Sequence, residues 1–299
     1  MRHNKALSLL SISAAVVALA SCTPSTGSSV TGGSSSTGTT GPNVRITMLT
    51  DVGTIDDKSV NRGTWEGVKA WGQANGLSET TSGAGFNYIR PNAGTTADYE
   101  SAIDDAVAGG ANVIVSPGYL FQTAFETKTV QYPNVNFVGI DFAQENIAET
   151  PNSINILFKE QDAGFLAGYA AGQEGLIKNG FVGGMQIPAV IRYGAGYAAG
   201  LAYSNSLGDT SSVLTADHIF YAGAFEAKPD FKTKVTGWYT TDQLDVVFSA
   251  AGGVNINVFD AVDDYHTANR IPDGQKPWAL GVDVDQYAES DTVLTSAMK

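Results

Sequence analysis

Three aspartates stand close together near the start of the chain, in the segment TDVGTIDDKSVNRGTWEG (50–67). The same segment carries a lysine, a serine and an asparagine. Side chains of these types can transfer protons, hold a cation or form hydrogen bonds to a polar ligand. The aspartates lack the alternating D-x-D-x-D-G order of an EF-hand loop. The segment by itself therefore leaves three interpretations open: a catalytic loop, a metal loop and one wall of a ligand site.

The motifs of several common enzyme classes do not occur in the sequence. It contains no G-x-S-x-G nucleophile elbow and no Gly-Lys pair of a phosphate-binding loop. The run GAGYAAG (194–200) fits G-x-G-x-x-[G/A], but it lies inside a helical pattern, which favours close helix packing over cofactor binding. One cysteine and three histidines in the whole chain do not indicate a metal site. We therefore predict a binding protein that is not an enzyme and uses no metal or cofactor.

Short apolar segments alternate with amphipathic ones from Val44 onward, which predicts parallel sheets flanked by helices. Strands are predicted at 44–49, 86–91, 112–117, 135–140, 152–158, 180–185, 218–223, 245–250 and 278–283. Helices are predicted at 61–75, 96–108, 121–132, 161–173, 191–207, 231–240 and 256–269. We expect two doubly wound α/β lobes, 43–141 and 142–290, joined by a hinge, with 291–299 returning to the first lobe.

Polar, aromatic and glycine residues follow many of the predicted strands. Ligands bind beyond the carboxyl ends of the strands in open parallel sheets, so these residues are candidates for one shared site. Carboxylates accept hydrogen bonds from hydroxyls, aromatic rings stack on a flat ring, and glycine lets the backbone approach closely. Such a set suits a neutral, flat ligand rich in hydroxyls. The candidates are Asp51, Asp57, Lys58, Ser59, Asn61, Tyr119, Asp141, Tyr193, Gly252, Gly253 and Asp283.

The first residues of the chain have the pattern of a secretory signal peptide, 1–21, with a positive start and a short apolar run. Its end, LASC, resembles the bacterial lipobox, which implies cleavage before Cys22 and lipidation of that cysteine. Residues 22–42 are rich in Ser, Thr and Gly and carry no charge, which predicts a flexible tether. We expect a protein held by lipid on the extracytoplasmic face of the cell membrane.

The composition fits a globular body, with 43% hydrophobic and 16% charged residues in a chain of 299. The formal net charge of −13 repels the phosphates of nucleic acids, so we expect no nucleic-acid partner. We expect a monomer.

The segment 50–67 resembles the opening motif of the basic membrane protein family of lipoproteins, the purine-nucleoside receptor type. The likeness continues in order through VIVSPGYLFQ, NFVGID, AGFLAGYAAG, GFVGGMQIPAV, DVVFSAAGG, GVDVDQ and TVLTSAMK. The resemblance implies the type I periplasmic-binding-protein fold, in which a three-strand hinge joins two α/β lobes. It also implies the solute-binding subunit of an ABC transporter, which captures nucleosides such as inosine, guanosine or adenosine for a permease.

The same resemblance implies roles for individual residues. Asp141 contacts the base, and Tyr193 stacks on it. Asp283 accepts hydrogen bonds from the ribose 2′- and 3′-hydroxyls, and Lys299 reaches the ribose side. The residues that line the first-lobe side of the cleft are Asp51, Asp57, Lys58, Ser59 and Asn61, and those that pack against the sugar are Gly252 and Gly253.

The chain departs from the family pattern in two ways. Val60 stands where the family has phenylalanine, which predicts the loss of one stacking face, about 1–3 kcal/mol per base. Trp65, Tyr119 and Phe142 are the aromatic residues that would compensate. The relatives continue beyond the position of Lys299 and return to the first lobe, so we expect uncovered apolar surface there. A surface adhesin with a decayed cleft, and a binder of sugars or autoinducers on this fold, stay open as alternatives.

Overall fold

The computed structural model describes residues 43–208 and 210–299. The predicted signal peptide, the lipidation site Cys22 and the predicted tether lie outside the described residues. Within the described ranges, no helix combines the length and the apolar character needed to cross a membrane.

The first lobe is a five-stranded parallel sheet in the order β2-β1-β3-β4-β5. Its strands are β1 (Arg45–Leu49), β2 (Gly85–Ile89), β3 (Val113–Pro117), β4 (Asn136–Ile140) and β5 (Ser153–Ile156). Its helices are α1 (Val60–Ala74), α2 (Thr96–Ala108) and α3 (Gln122–Gln131). The run RITML forms β1 with all five residues buried, because helices cover both faces of the sheet at this strand.

The second lobe repeats this plan. Its strands are β6 (Lys178–Gly183), β7 (Val213–Tyr221), β8 (Val246–Ala250), β9 (Trp278–Asp283) and β10 (Val293–Met298). Its helices are α4 (Glu160–Gln173), α5 (Pro188–Ser206), α6 (Pro229–Thr240) and α7 (Asn255–Asn269). The sheet order, read from its other edge, is β7-β6-β8-β9-β10, which is the order of the first sheet. The predicted strands and helices are all present, with ends shifted by a few residues.

Two strand assignments made from the sequence were wrong. We expected β5 to belong to the second lobe, but it pairs with β4 and completes the first sheet. We expected 291–299 to return to the first lobe, but β10 pairs with β9 in the second sheet. Both are edge strands, whose partner is decided by long-range pairing that a local pattern does not encode. Within the described residues the chain therefore passes between the lobes once, at 157–159, where the family resemblance implied three crossings.

The two sheets are covered to different extents. In the second lobe, α4 and α5 pack on one face of the sheet and α6 and α7 on the other. In the first lobe, α2 and α3 pack on one face, and α1 packs on part of the other. Beside α1 an apolar groove of about 920 Å³ stays open over β3, β4 and β5, so the expected uncovered apolar surface is present. The residues of the sheet that line it include Val113, Val115, Val138, Ile140 and Ile156.

Helices α4 and α5 are in contact backbone to backbone. A β-carbon added to Gly168 would lie 2.1 Å from the carbonyl oxygen of Tyr197, and one added to Gly200 would lie 2.1 Å from that of Phe165. Only glycine leaves room for so close an approach. The interpretation of GAGYAAG as a helix-packing motif is confirmed, and the contact holds α5 firmly beside the ends of the strands.

Gly168→Ala tests this packing. Although alanine favours a helix over glycine by about 1 kcal/mol, we expect the variant to lose about 1–3 kcal/mol of unfolding free energy because the helices must move apart. Urea unfolding followed by circular dichroism measures the change.

The matched control is Gly237→Ala in α6, where an added β-carbon meets nothing within 4 Å. This variant should gain up to about 1 kcal/mol. Equal shifts of the unfolding midpoint in the two variants would contradict the packing.

Candidate functional site

A cavity of about 270 Å³ lies between the carboxyl ends of the two sheets. In each sheet the strand order reverses between two neighbouring strands, β1 and β3 in the first and β6 and β8 in the second. Such reversals are where open α/β sheets bind ligands. Segments that follow these strands, including 51–54, 118–120, 187–190 and 250–253, line the cavity from both lobes.

Most of the residues singled out from the sequence meet at this cavity. Those that line it are Asp51, Asp57, Ser59, Tyr119, Asp141, Tyr193, Gly252, Gly253, Asp283 and Lys299. Lys58 and Asn61 are not part of its lining. The ammonium of Lys58 pairs with Glu289 of the second lobe, and the side-chain amide of Asn61 donates hydrogen bonds to Asp51 and Asp57. A contact of any of these residues with a ligand stays a prediction.

The loop after β1 is organised by Asn61. Its side-chain nitrogen donates to Oδ1 of Asp51 and to Oδ2 of Asp57, both at 2.7 Å, and its oxygen accepts from the backbone N–H of Asp51 at 3.1 Å. Asp57 also accepts from the backbone N–H groups of Ser59 and Arg62, at 2.9 and 3.0 Å, and so caps the start of α1. Two carboxylates are thereby held rigidly at the cavity wall.

Burial raises the pKa of both aspartates at this wall of the cavity. The pKa of Asp51 is raised to about 6, mainly by burial and also by the charge of Asp57, while the hydrogen bonds from Asn61 and Gly53 act to lower it. Burial also raises the pKa of Asp57 above its ordinary value. Both carboxylates would be stabilised by hydrogen-bond donors entering the cavity.

A buried ammonium joins the two lobes at the floor of the cavity. Nζ of Lys299 contacts the carboxylate of Asp141 and lies 3.1 Å from Oδ1 of Asp283. Asp141 directly follows β4 and Asp283 is the last residue of β9, the equivalent strand of the second sheet. Both aspartates have left-handed backbone, with φ of 71° and 68°. Asp283 also accepts from the hydroxyls of Ser59, at 2.6 Å, and Tyr193, at 3.3 Å.

The charges in this cluster are only partly satisfied. Burial lowers the pKa of Lys299, but the charges of Asp283 and Asp141 outweigh it and raise that pKa above its ordinary value, so the ammonium stays charged. Burial raises the pKa of Asp141, with the charge of Lys299 opposing. Oδ1 of Asp141 is buried and accepts no hydrogen bond. Since an unpartnered buried acceptor is costly, a donor on a bound ligand would be stabilised there.

Sequence reasoning missed Phe225, whose ring lines the cavity from the loop after β7. A β-carbon at Gly184 would lie 2.3 Å from this ring and one at Gly252 would lie 3.3 Å from it, so both glycines make room for the aromatic side chain. Glu226 from the same loop and Arg90, which follows β2, also line the cavity. Phe225 and Glu226 follow the predicted strand 218–223 and could have been found from the sequence in the same way as the other candidates. Arg90 could not, because it lies inside the predicted strand 86–91.

The aromatic residues proposed from the sequence have different positions. Tyr119 lines the cavity and is partly exposed. Phe142 is buried in the first-lobe core and Trp65 packs on Phe86, and neither lines the cavity, so neither compensates for Val60. Tyr193 lines the cavity while its ring packs edge-on against Phe248, and its role in stacking stays a prediction.

Asp51→Asn tests the electrostatics of the wall. The pKa of Asp51 is about 6 when folded, against the ordinary 3.8. The folded state thus binds the proton more tightly, so this group's contribution to stability is complete below about pH 4 and is lost as the pH rises through about 6. Between about pH 4.5 and about pH 7 we expect the wild type to lose about 2 kcal/mol more unfolding free energy than the variant.

Urea unfolding at the two pH values measures that difference. The control is Asp56→Asn, which changes an exposed carboxylate in the same loop and should keep the pH dependence of the wild type. If Asp51→Asn also keeps it, Asp51 is not the group responsible.

Residues 44–299 match the Bmp family model, described as ABC transporter substrate-binding protein PnrA-like. The chain is 30% identical over 289 residues to a CD4+ T-cell-stimulating antigen of Listeria innocua, covering 96% of this chain and 75% of that protein. It is 30% identical over 299 aligned residues to the ABC transporter nucleoside-binding protein BmpA of Lactococcus lactis, covering 96% of this chain and 80% of BmpA.

Among solved structures, a solute-binding protein of an ABC transporter system from Aeropyrum pernix matches with a TM-score of 0.72 and 26% identity. The match covers 85% of this chain and 66% of that one. A solute-binding protein from Actinobacillus succinogenes with bound D-allose shares the fold, with a TM-score of 0.55 and 14% identity. Because the family model spans the two-lobed body and its cavity, the chain belongs to the Bmp family of PnrA-like ABC transporter substrate-binding proteins, which bind solutes and are not enzymes.

Proposed function

We propose that the protein captures a purine nucleoside in the cavity between its lobes and delivers it to an ABC permease. It acts as a monomer, held through lipidated Cys22 on the extracytoplasmic face of the cell membrane. The observation that carries the proposal is the lining of the cavity, where buried carboxylates from both lobes stand beside the ring of Phe225. The relation to a nucleoside-binding protein of Lactococcus lactis supports it.

The ribose binds at the cluster around Lys299. Ser59 donates to Asp283 at 2.6 Å, across the two lobes, in a bond that a ribose hydroxyl can replace. Lys299 then bridges Asp141 and Asp283 on the ribose side of the ligand. The exchange of one hydroxyl donor for another keeps the carboxylate of Asp283 satisfied with and without ligand.

The base binds against Phe225, with Gly252 allowing close approach of the second lobe. Val60 supplies an aliphatic contact on the first-lobe side where the family has an aromatic residue, so the base is stacked on one face. The free oxygen of Asp141 accepts a hydrogen bond from a donor on the base.

The charge of the cavity favours nucleosides over nucleotides. Its lining carries the carboxylates of Asp51, Asp57, Asp141, Asp283 and Glu226 against the cations Arg90 and Lys299. Lys299 is already shared by two aspartates, so a phosphate would enter a negative field with little to neutralise it.

Titration calorimetry on the protein without its lipid tests the proposal. The ligands are inosine, guanosine, adenosine, uridine, their 5′-monophosphates and D-ribose. We expect at least one purine nucleoside to bind with a dissociation constant in the micromolar range or below, and no monophosphate to bind. Binding of D-ribose alone would indicate a sugar binder, and binding of nothing in the panel would favour a surface lipoprotein with a decayed cleft.

Asp283→Asn tests the assignment of the ribose subsite. Because charge-assisted hydrogen bonds to the ribose hydroxyls are lost, we expect the affinity for the nucleoside to fall by about tenfold to a hundredfold. The matched control is Asp285→Asn, two residues along the chain, which changes an exposed carboxylate that does not line the cavity. Equal affinities of the two variants in calorimetry would contradict the assignment.

A further inference from the structure

Two cations of the first lobe share one carboxylate of the second lobe. Lys58 and Arg62, at the start of α1, contact the two oxygens of Glu289, with Nη1 of Arg62 at 2.6 Å from Oε1. The side chain of Glu289 is 11% exposed. Burial alone would raise the pKa of Glu289, but the hydrogen bonds from Lys58 and Arg62 outweigh it and hold that pKa below its ordinary value. We call Lys58, Arg62 and Glu289 the interlobe clasp.

The backbone supports the clasp. The side-chain amide of Gln286, three residues before Glu289, donates to the carbonyl oxygen of Lys58. Lys58 has left-handed backbone, with φ of 58°, and it stands between Asp57 and Ser59, whose side chains line the cavity while its own does not. The local turn of the chain therefore places a lysine predicted to meet the ligand on a contact between the lobes.

Contacts between the lobes fall into two groups. Ser59 with Asp283 and Lys299 with Asp141 line the cavity, so a ligand can replace or join them. The three clasp residues do not line the cavity, and a ligand held there does not reach them. The clasp thus acts on the arrangement of the lobes and leaves the chemistry of the cavity unchanged.

The lobes depend on such polar contacts. In the ranges that the structure describes, each hydrophobic cluster takes its residues from a single lobe. Without a shared apolar core, the closed arrangement is stabilised by hydrogen bonds and ion pairs. A carboxylate held by two cations from the opposite lobe is one of the strongest of these contacts.

We propose that the interlobe clasp holds the lobes closed and thereby sets the affinity of the cavity for its ligand without touching it. Glu289 is then a positioning residue. The part that concerns affinity rests on the proposed binding of nucleosides. When only the closed form binds, the apparent dissociation constant equals the intrinsic one divided by the closed fraction. Weakening the clasp must therefore lower the affinity for every ligand by the same factor.

Glu289→Gln in the full chain is the test, and Glu66→Gln is the matched control. Glu66 also pairs with Arg62, at 3.1 Å, but both residues belong to α1, so its loss leaves the contact between the lobes intact. Small-angle X-ray scattering of the ligand-free proteins should show a larger radius of gyration for Glu289→Gln alone. High salt should move the wild type towards that value.

Calorimetry with two different purine nucleosides gives the second measurement. We expect Glu289→Gln to lower both affinities by a common factor, roughly three- to tenfold, and Glu66→Gln to change neither. Lys58→Gln removes a clasp cation from the first lobe and should lower the affinities in the same way. It keeps the proposal testable if Glu289→Gln does not fold. The proposal would be overturned if both clasp variants kept the affinity and the radius of gyration of the wild type. It would also be overturned if the loss of affinity differed widely between the two nucleosides. If the wild type binds no nucleoside, the proposed function fails, while the scattering comparison still decides whether the clasp closes the lobes.

Discussion

The sharing of one buried ammonium by two carboxylates is the interaction on which the site depends. Lys299 directly follows β10 of the second lobe, Asp141 belongs to the first lobe and Asp283 to the second. A buried charge is strongly destabilising without partners. Asp283 gives the ammonium one partner within the second lobe, and Asp141 gives it a second partner across the boundary between the lobes. The same arrangement leaves one buried oxygen of Asp141 without a hydrogen-bond partner, in a residue that lines the cavity.

The internal symmetry of the fold explains why this cluster forms. Both sheets have the same strand order, and each turns sharply at equivalent points, after its third and fourth strands in the order of the chain within each lobe. Gly118 and Gly252, then Asp141 and Asp283, all have positive φ there. Left-handed backbone is uncommon for residues other than glycine, and it persists where the surrounding structure determines the conformation. Each lobe therefore aims one carboxylate at the boundary between them.

The contacts within each lobe differ in kind from those between the lobes. The glycine contact between α4 and α5 and the amide of Asn61 hold the walls of the cavity to fixed positions within each lobe. Across the boundary the contacts are polar and can exchange, as the bond from Ser59 to Asp283 does with a ligand hydroxyl in the proposed function.

The sequence by itself determined the strands β1 to β9, the helices α1 to α7 and most of the cavity lining. Buried parallel strands are short apolar runs, and the residue after such a strand is carried to the binding edge whatever its partners, as Asp51 and Gly252 show. Tertiary structure decided which sheet the edge strands β5 and β10 join, because pairing between distant segments is not encoded in a local pattern. It also decided that Lys58 faces Glu289, since a left-handed turn of the backbone directs its side chain away from its neighbours' cavity.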